Sequence, residues 1–394
     1  MKNATADRYV HRRFAPTGLM LGNVVIGCSV LAPAGMLSEL SSGLDVTIRD
    51  AGLLITFGAI VLCIGSPLSA WLTSRIERRT LLTATLAVLA LTNIASAFAP
   101  DYATLLITRL IMLTVGALYT PQAAGTAALI VPAEKRGSTI AYIFLGWSLA
   151  AAVGLPLITF IASRYGWRAV YGSIGLIACF SFLLLAWRLP RGLVGSPVDL
   201  KTWADVGRNR MIVLLLSITT LQMAGQFVVF TFMGPLLTKL TNAGPDAVSL
   251  VFALYGVFGF IGIAIATRIV DSWGAYNTSL LFTCLLLTGV AGWALSAGTY
   301  ALMACSVAIW GMGFASTNSM QQVRLVTAAP ALASASVSLN TSVLYIGQAV
   351  GSAIGGALYA RDLLHGAGYV SMGFVAVAVM IVVLTKPRPA ASPA

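Results

Sequence analysis

Arg109 is the one charged residue in an otherwise apolar stretch, YATLLITRLIMLTVGALY at residues 102–119. Its guanidinium stays protonated and carries five donors in a planar fork. An arginine at mid-membrane depth costs about 2.5–3.5 kcal/mol on insertion scales, so structure or function must offset it. None of the chain's twelve Asp and Glu residues falls inside an apolar stretch; all sit in loops, termini or helix ends. Three kinds of partner are therefore open to Arg109. They are the backbone carbonyls and amides of a neighbouring helix, an acceptor on a bound solute, or Glu39 or Asp50 from nearby helix ends.

Two sets of neutral side chains have helical spacing. Gln222, Gln226 and Phe230 recur at i, i+4 and i+8, and Trp310, Phe314, Asn318 and Gln322 do the same. Each set shares one helix face. Rings stack on a neutral polar or amphipathic solute and amides hydrogen-bond it; the same amides can instead join helices to one another. Trp147 and Tyr345 are further candidates, against the common use of buried aromatics as packing. The apolar stretches hold no nucleophile–base pair or metal cluster, so a membrane enzyme is not expected. No G-x-x-x-x-G-K-[ST] loop is present, which excludes an ATP-driven pump on this chain, and no cofactor motif appears. Cys28, Cys63, Cys179, Cys284 and Cys305 all fall in apolar segments as small hydrophobes, without disulfide or metal spacing.

The elements that must position these residues are membrane helices. Of 394 residues 58% are hydrophobic and only 9% charged, with a mean hydropathy of +0.90. A helix needs about 20 apolar residues to cross a bilayer. Twelve such runs lie near 16–38, 51–73, 80–98, 103–129, 138–162, 168–187, 211–237, 247–269, 276–296, 300–322, 332–359 and 368–385. The net charge of +12 follows topology rather than a nucleic-acid partner. Eighteen Lys and Arg fall on one side of the proposed spans and five, Arg49, Arg164, Arg168, Lys239 and Arg361, on the other. Positive loops stay in the cytoplasm, so both termini are expected there, in a bacterial inner membrane. The basic N-terminus and the following apolar run imitate a signal peptide, but the run is too long and its removal would break the charge alternation. It is expected to remain as span 1.

The chain also repeats. Ser74 in the loop after span 2 and Asp271 in the loop after span 8 are 197 positions apart, and so are Gly154 in span 5 and Gly351 in span 11. A six-helix unit duplicated in tandem is expected: residues 1–190, a cytoplasmic linker at 191–210, and residues 211–394. Many secondary transporters are built this way, with the halves rocking around a midplane site. Gly146, Gly154, Gly347, Gly351 and Gly355 would let helices from opposite halves approach closely, and Pro156 would release backbone hydrogen bonds. Spans 5 and 11 are expected to form part of a sliding interface between the halves.

These residues resemble the major facilitator superfamily. GSPLSAWLTSRIERRTLL (65–82) is similar to its loop-2/3 signature, Arg109 with Gly116 to its span-4 motif, and Gly146, Gly154 and Pro156 to the span-5 motif of its drug:proton antiporter branch. Residues 313–358 are similar to the sugar- and nucleoside-efflux subgroup. The resemblance implies an all-α fold of twelve helices, with spans 1, 4, 7 and 10 lining a cavity. Asn23, Arg109, Gln122, Gln222, Gln226, Asn318, Gln321 and Gln322 fall inside those spans, whereas spans 3, 6, 9 and 12 contribute only Asn93 and Asn277 at an edge. The sequence departs from the loop signature at Ala70, Ser74 and Glu77, keeping Arg75, Arg78 and Arg79; the second-half loop keeps Asp271 and Gly274 without the basic pair. In the family such loops latch one state by charge pairing, which makes Asp271 the stronger member here. The implied function is proton-coupled efflux of a small organic solute (a sugar, a nucleoside or a drug-like molecule) by a monomer in the lipid bilayer; the runner-up is a facilitator or uptake uniporter, and a non-transporting receptor is a remote third. For coupling, Glu39 or Asp50 is expected to pair with Arg109 when the outer gate closes, which would lower the acid's pKa and release a proton.

Overall fold

In a computed structural model of the chain the described residues are 14–73, 76–131, 136–194, 205–329 and 332–386. They are almost wholly helical, as a bilayer demands of any backbone that cannot hydrogen-bond to water. The spanning helices are Ala15–Gly35, Ile48–Leu72, Arg78–Ala97, Tyr102–Ile130, a fifth from Arg136 to Tyr165, Trp167–Arg188, Arg210–Phe230, Pro245–Leu295, Tyr300–Ala328, Ala333–Ala360 and Leu364–Leu384. Pro245–Leu295 has 51 residues, about 77 Å of helix at 1.5 Å per residue, more than twice the roughly 30 Å of hydrocarbon. It reverses at Gly274, whose φ of 76° and ψ of 156° are not helical. A side chain would strain that φ, so the glycine makes the turn. The stretch therefore supplies spans 8 and 9, and the total is twelve. The expected loop there shrinks to a single residue's turn.

Spans 1 and 7 stop short of their expected ends. Span 1 breaks after Gly35 at Met36 and resumes as Leu37–Leu44; span 7 breaks after Phe230 and resumes as Met233–Thr241. Both short helices end on left-handed caps, Asp45 at φ 53° and Asn242 at φ 57°, again 197 positions apart. The duplication also shows in single bonds. The Tyr102 hydroxyl donates to the Asp50 carbonyl at 2.7 Å, and that of Tyr300 to the Ala247 carbonyl at 2.9 Å. Side-chain caps close further helix ends: Asp101 accepts from the Thr104 N–H, and Asn209 from those of Met211 and Ile212.

The bundle has two ends, one carrying residues 37–50 and 242–246 (the Asp50 end) and one carrying the segment after span 6 (the linker end). Among the described residues, every hydrogen bond and ion pair between the first six spans and the last six lies in the half nearer the Asp50 end. Thr56 of span 2 donates to Ser352 of span 11 at 3.1 Å, Ser249 of span 8 to the Pro156 carbonyl of span 5 at 3.1 Å, and Arg164 faces Asp246 at 3.7 Å. Towards the linker end span 4 exposes Pro121 and Gly125, and nothing packs within 4 Å of where a Gly125 Cβ would stand. Among the described residues the halves are closed on each other at the Asp50 end.

Candidate functional site

Arg109 is buried, 1% exposed, and each of its three nitrogens donates to backbone, using three of the five N–H groups. Nε donates to the Leu54 carbonyl of span 2 at 2.9 Å, Nη1 to Ser29 at 2.8 Å and Nη2 to Val30 at 3.0 Å, both in span 1. The reason lies four residues on. Pro33 sits inside span 1 and has no N–H, so the Ser29 carbonyl lacks its helical donor, and Arg109 supplies one. Of the three partners open to it from sequence, Arg109 takes backbone. Neither expected acid reaches it. Asp50 is a cap residue whose Oδ2 accepts from Thr47 at 2.7 Å. Glu39, on the Leu37–Leu44 helix, lines a shallow surface pocket with Ser42, Gly43, Tyr165, Gly166, Trp167 and Arg168. Burial pushes its carboxyl above the ordinary range, against a smaller opposing contribution from its own backbone N–H. The expected sign is thus reversed: with the Asp50 end closed the Glu39 pKa is raised by desolvation, not lowered by pairing. Arg168 is turned away, stacked 4.2 Å from the Trp167 ring centroid and donating to the Ala99 carbonyl.

The neutral candidates divide into buried ties and half-buried wall. Asn23 donates to the Ile143 carbonyl of span 5 at 3.0 Å and accepts from the Thr120 hydroxyl of span 4 at 2.8 Å, while Trp147 donates to Thr120 at 3.3 Å. Gln122 donates to Thr73 at 3.0 Å. In the second half Gln222 donates to Thr283 at 2.9 Å, and Trp310 donates to Gln226 at 3.0 Å. The Trp310 indole can only donate, so it fixes the Gln226 oxygen towards it and leaves that amide nitrogen unpaired. Asn23, Gln122, Gln222, Gln226, Phe230 and Trp310 are all buried. They join helices rather than lining an open cavity, the alternative use of such amides. Trp147, Phe314, Asn318 and Gln322 are half-buried, and Tyr345 is 8% exposed. Asn318 accepts from Asn340 at 3.1 Å, and Asn340 accepts from Thr219 at 2.7 Å. The Asn318 amide nitrogen thus stays available at the wall.

Tyr255 was not anticipated. It stands in span 8, outside the four spans expected to line the cavity. Its ring lies 4.9 Å from Phe230, 5.5 Å from Trp310 and 5.3 Å from Phe314. A tyrosine beside a glycine in the aliphatic run VFALYGVFGF was the available signal. The neighbouring Gly256 packs on the backbone of Ala151 and Ala152 in span 5, within a π-helical turn at Ala150–Gly154. Tyr171, fully buried beside Arg109, was also missed.

The glycine expectation needs correcting. Gly146 packs on Met20 and Asn23 and Gly154 on Cys28, all in span 1; Gly347, Gly351 and Gly355 pack on the Thr220, Ala224 and Val228 carbonyls of span 7. Each glycine joins helices of its own half. Spans 5 and 11 do face the other half, but through Gly256 on Ala152, Thr56 with Ser352, and Ser249 with Pro156; the Phe232 ring at the span 7 break also meets Gly52 of span 2. Arg75 lies outside the described residues. Arg78 is 6% exposed and its backbone N–H donates to Leu193, while Arg79 donates to the Ala186 carbonyl. Glu77, where a glycine was expected, accepts from Thr80 and from the Gly192 N–H, both at 2.7 Å, which with nearby Arg79 and Arg191 holds its carboxyl below the ordinary range. This loop grips the start of the linker. Asp271 is exposed and forms no ion pair among the described residues, so its expected latch is not engaged in this arrangement.

Residues 19–352 match the family model described as Major Facilitator Superfamily. The chain is 30% identical over 348 residues to an Escherichia coli protein named inner membrane transport protein YdhP, covering 88% of both chains. It is 25% identical to a probable sugar efflux transporter of Mannheimia succiniciproducens, covering 89% of this chain and 87% of that one. Among solved structures a D-xylose-proton symporter superposes with a TM-score of 0.76 at 17% identity, covering 95% and 98% of the two chains. The nucleoside transporter NupG gives 0.75 at 12%, covering 94% and 99%. At those identities the structures speak for the fold, and with the family match they account for twelve helices in two pseudo-symmetric halves: the chain belongs to the major facilitator superfamily of membrane transporters.

Proposed function

We propose that this chain is a monomeric secondary transporter that exports a small neutral organic solute across a bacterial inner membrane by alternating access. The Asp50 end faces outwards and both termini and the linker face the cytoplasm, which the charge bias of the loops supports; the halves divide at residues 191–210. One observation carries the solute class. Among the described residues the only charged side chain at mid-depth is Arg109, and each of its three nitrogens donates to a backbone carbonyl. What remains for a solute is Trp147, Phe314, Asn318, Gln322 and Tyr345, rings and amides without charge. Export, and a sugar-like or nucleoside-like cargo, are supported by the names of the relatives. A panel of sugars, nucleosides and uncharged antimicrobials, followed as accumulation in cells lacking or overproducing the protein, tests this; preferential export of a permanently charged solute would overturn it.

Two energy sources remain. Proton coupling is supported by Glu39, a desolvated carboxyl on a helix that packs against Met233–Thr241 of the other half. A facilitator is supported by Arg109 having no carboxylate partner and by the spans having no mid-depth acid. Gradient-driven export from proteoliposomes separates them, since a facilitator runs only downhill.

A further inference from the structure

The linker end of span 6 carries a surface that solute transport does not use. Leu176, Phe180, Leu183 and Trp187 are all exposed and fall at i, i+4, i+7 and i+11, one stripe along the membrane-facing side of that helix. The stripe ends at cations. The Arg188 guanidinium lies 3.8 Å from the Trp187 ring centroid and 5.2 Å from that of Phe14, itself 49% exposed, and its Nε has no hydrogen-bond partner. Arg191 is exposed, and Arg79 reaches the last turn of the same helix at the Ala186 carbonyl. Glu77 is the one acid among them, and its oxygens are taken by Gly192 and Thr80. Other cations at this end are arranged differently. Arg208 faces Asp205 at 4.0 Å, and Arg324 is buried against Thr385 and Tyr276.

We infer that this corner binds an anionic phospholipid, its phosphate held by Arg188, Arg191 and Arg79 and one acyl chain lying along Leu176, Phe180, Leu183 and Trp187. Interfacial aromatics beside arginines suit a headgroup boundary, and basic pockets at helix ends are where acidic lipids settle. The apolar stripe in line with the arginines is what favours a lipid over a free anion. A bound lipid would sit on the stretch of linker that Glu77 and Arg78 already hold, at Gly192 and Leu193.

The test is native mass spectrometry of the full chain in micelles containing equal phosphatidylglycerol and phosphatidylcholine. The wild type should retain one phosphatidylglycerol in preference. Arg188→Gln with Arg191→Gln should lower that occupancy about 30-fold, at about 1 kcal/mol for each of the two surface cations; Arg268→Gln with Lys386→Gln, an equal loss of charge at the same end, should leave it unchanged. Trp187→Ala should weaken retention without changing net charge. Glycerol phosphate should fail to displace the lipid. Equal loss in both double variants, unchanged retention in the first, or displacement by glycerol phosphate would each overturn the assignment.

Discussion

The two halves close the same junction with different chemistry. In the first, the carbonyl freed by Pro33 in span 1 is met by a charge from span 4. At the matching place in the second, Phe230 stands where Pro33 would be, and span 10 meets span 7 through Trp310, Gln226 and a cluster of Phe227, Phe252, Tyr255 and Phe314. A proline removes a donor, and in a bilayer the vacancy must be filled; a phenylalanine keeps its N–H, so the carbonyl four residues back retains its helical donor and the side chain needs only packing. The difference teaches that an intramembrane arginine can be a consequence of a neighbour's proline rather than a mark of cargo.

That contrast makes the first half the more brittle. Arg109→Ala should cost about 3–5 kcal/mol, from the cavity together with a buried carbonyl left without any donor. Arg109→Lys, with one nitrogen where the fork has three in use, should recover only part of this. In both, transport should fall with the amount of folded protein and not through altered affinity. A stable Arg109→Ala protein with weakened solute affinity would return the arginine to the cargo site. The second half offers the reverse test. Trp310→Phe leaves the Gln226 oxygen unpaired and should cost about 1–3 kcal/mol, whereas Trp310→Phe with Gln226→Leu removes both partners and should recover most of it. Thermal unfolding of the purified variants decides both.

Glycines sharpen the distinction between holding a half together and letting the halves part. Gly351→Val drives a side chain at the Ala224 carbonyl of the same half and should lower stability by about 1–3 kcal/mol. Gly256→Val meets the π turn of span 5 across the halves, so it should lengthen the distance between labels at positions 164 and 246 with a smaller loss of stability. Equal unfolding temperatures and equal label distances for the two would erase the division.

Much of this architecture was legible from single residues. The duplication was visible in Gly154 with Gly351, and the fold repeats it in Asp45 with Asn242. Helix number followed from apolar length, because a bilayer enforces it. The direction in which a glycine faces was not legible, since Gly146 and Gly256 look alike in sequence and only packing tells which half each meets. Nor was the burial of Gln222 and Gln226. Helical spacing shows that two amides share a face but not whether that face meets a cavity or Thr283 and Trp310. Arg109 could have been assigned from Pro33, given the depth of both. Tyr255 was not legible because it stands in span 8, outside the four spans that the family resemblance implies for the cavity.

The smallest expected effect on stability bears on energy coupling. Glu39 is desolvated while the Asp50 end is closed, so its carboxyl there titrates above the ordinary range. A raised acid favours the closed form fully below its ordinary pKa, and that preference is lost as the pH rises through the raised value, because the charged form resists burial. Falling pH should therefore shorten the distance between labels at 164 and 246, as it drops through the raised value towards the ordinary glutamate pKa. Glu39→Gln, always neutral, should hold the short distance throughout and leave counterflow of solute intact while abolishing the effect of a pH gradient. Asp50→Asn should change neither readout, since Asp50 serves as a cap with Thr47, and the second half does without such an acid, Ala247 filling the matching place. Should Glu39→Gln keep a wild-type response to the gradient, the raised carboxyl is only a feature of a packed helix end, and the facilitator becomes the better account of how both halves move.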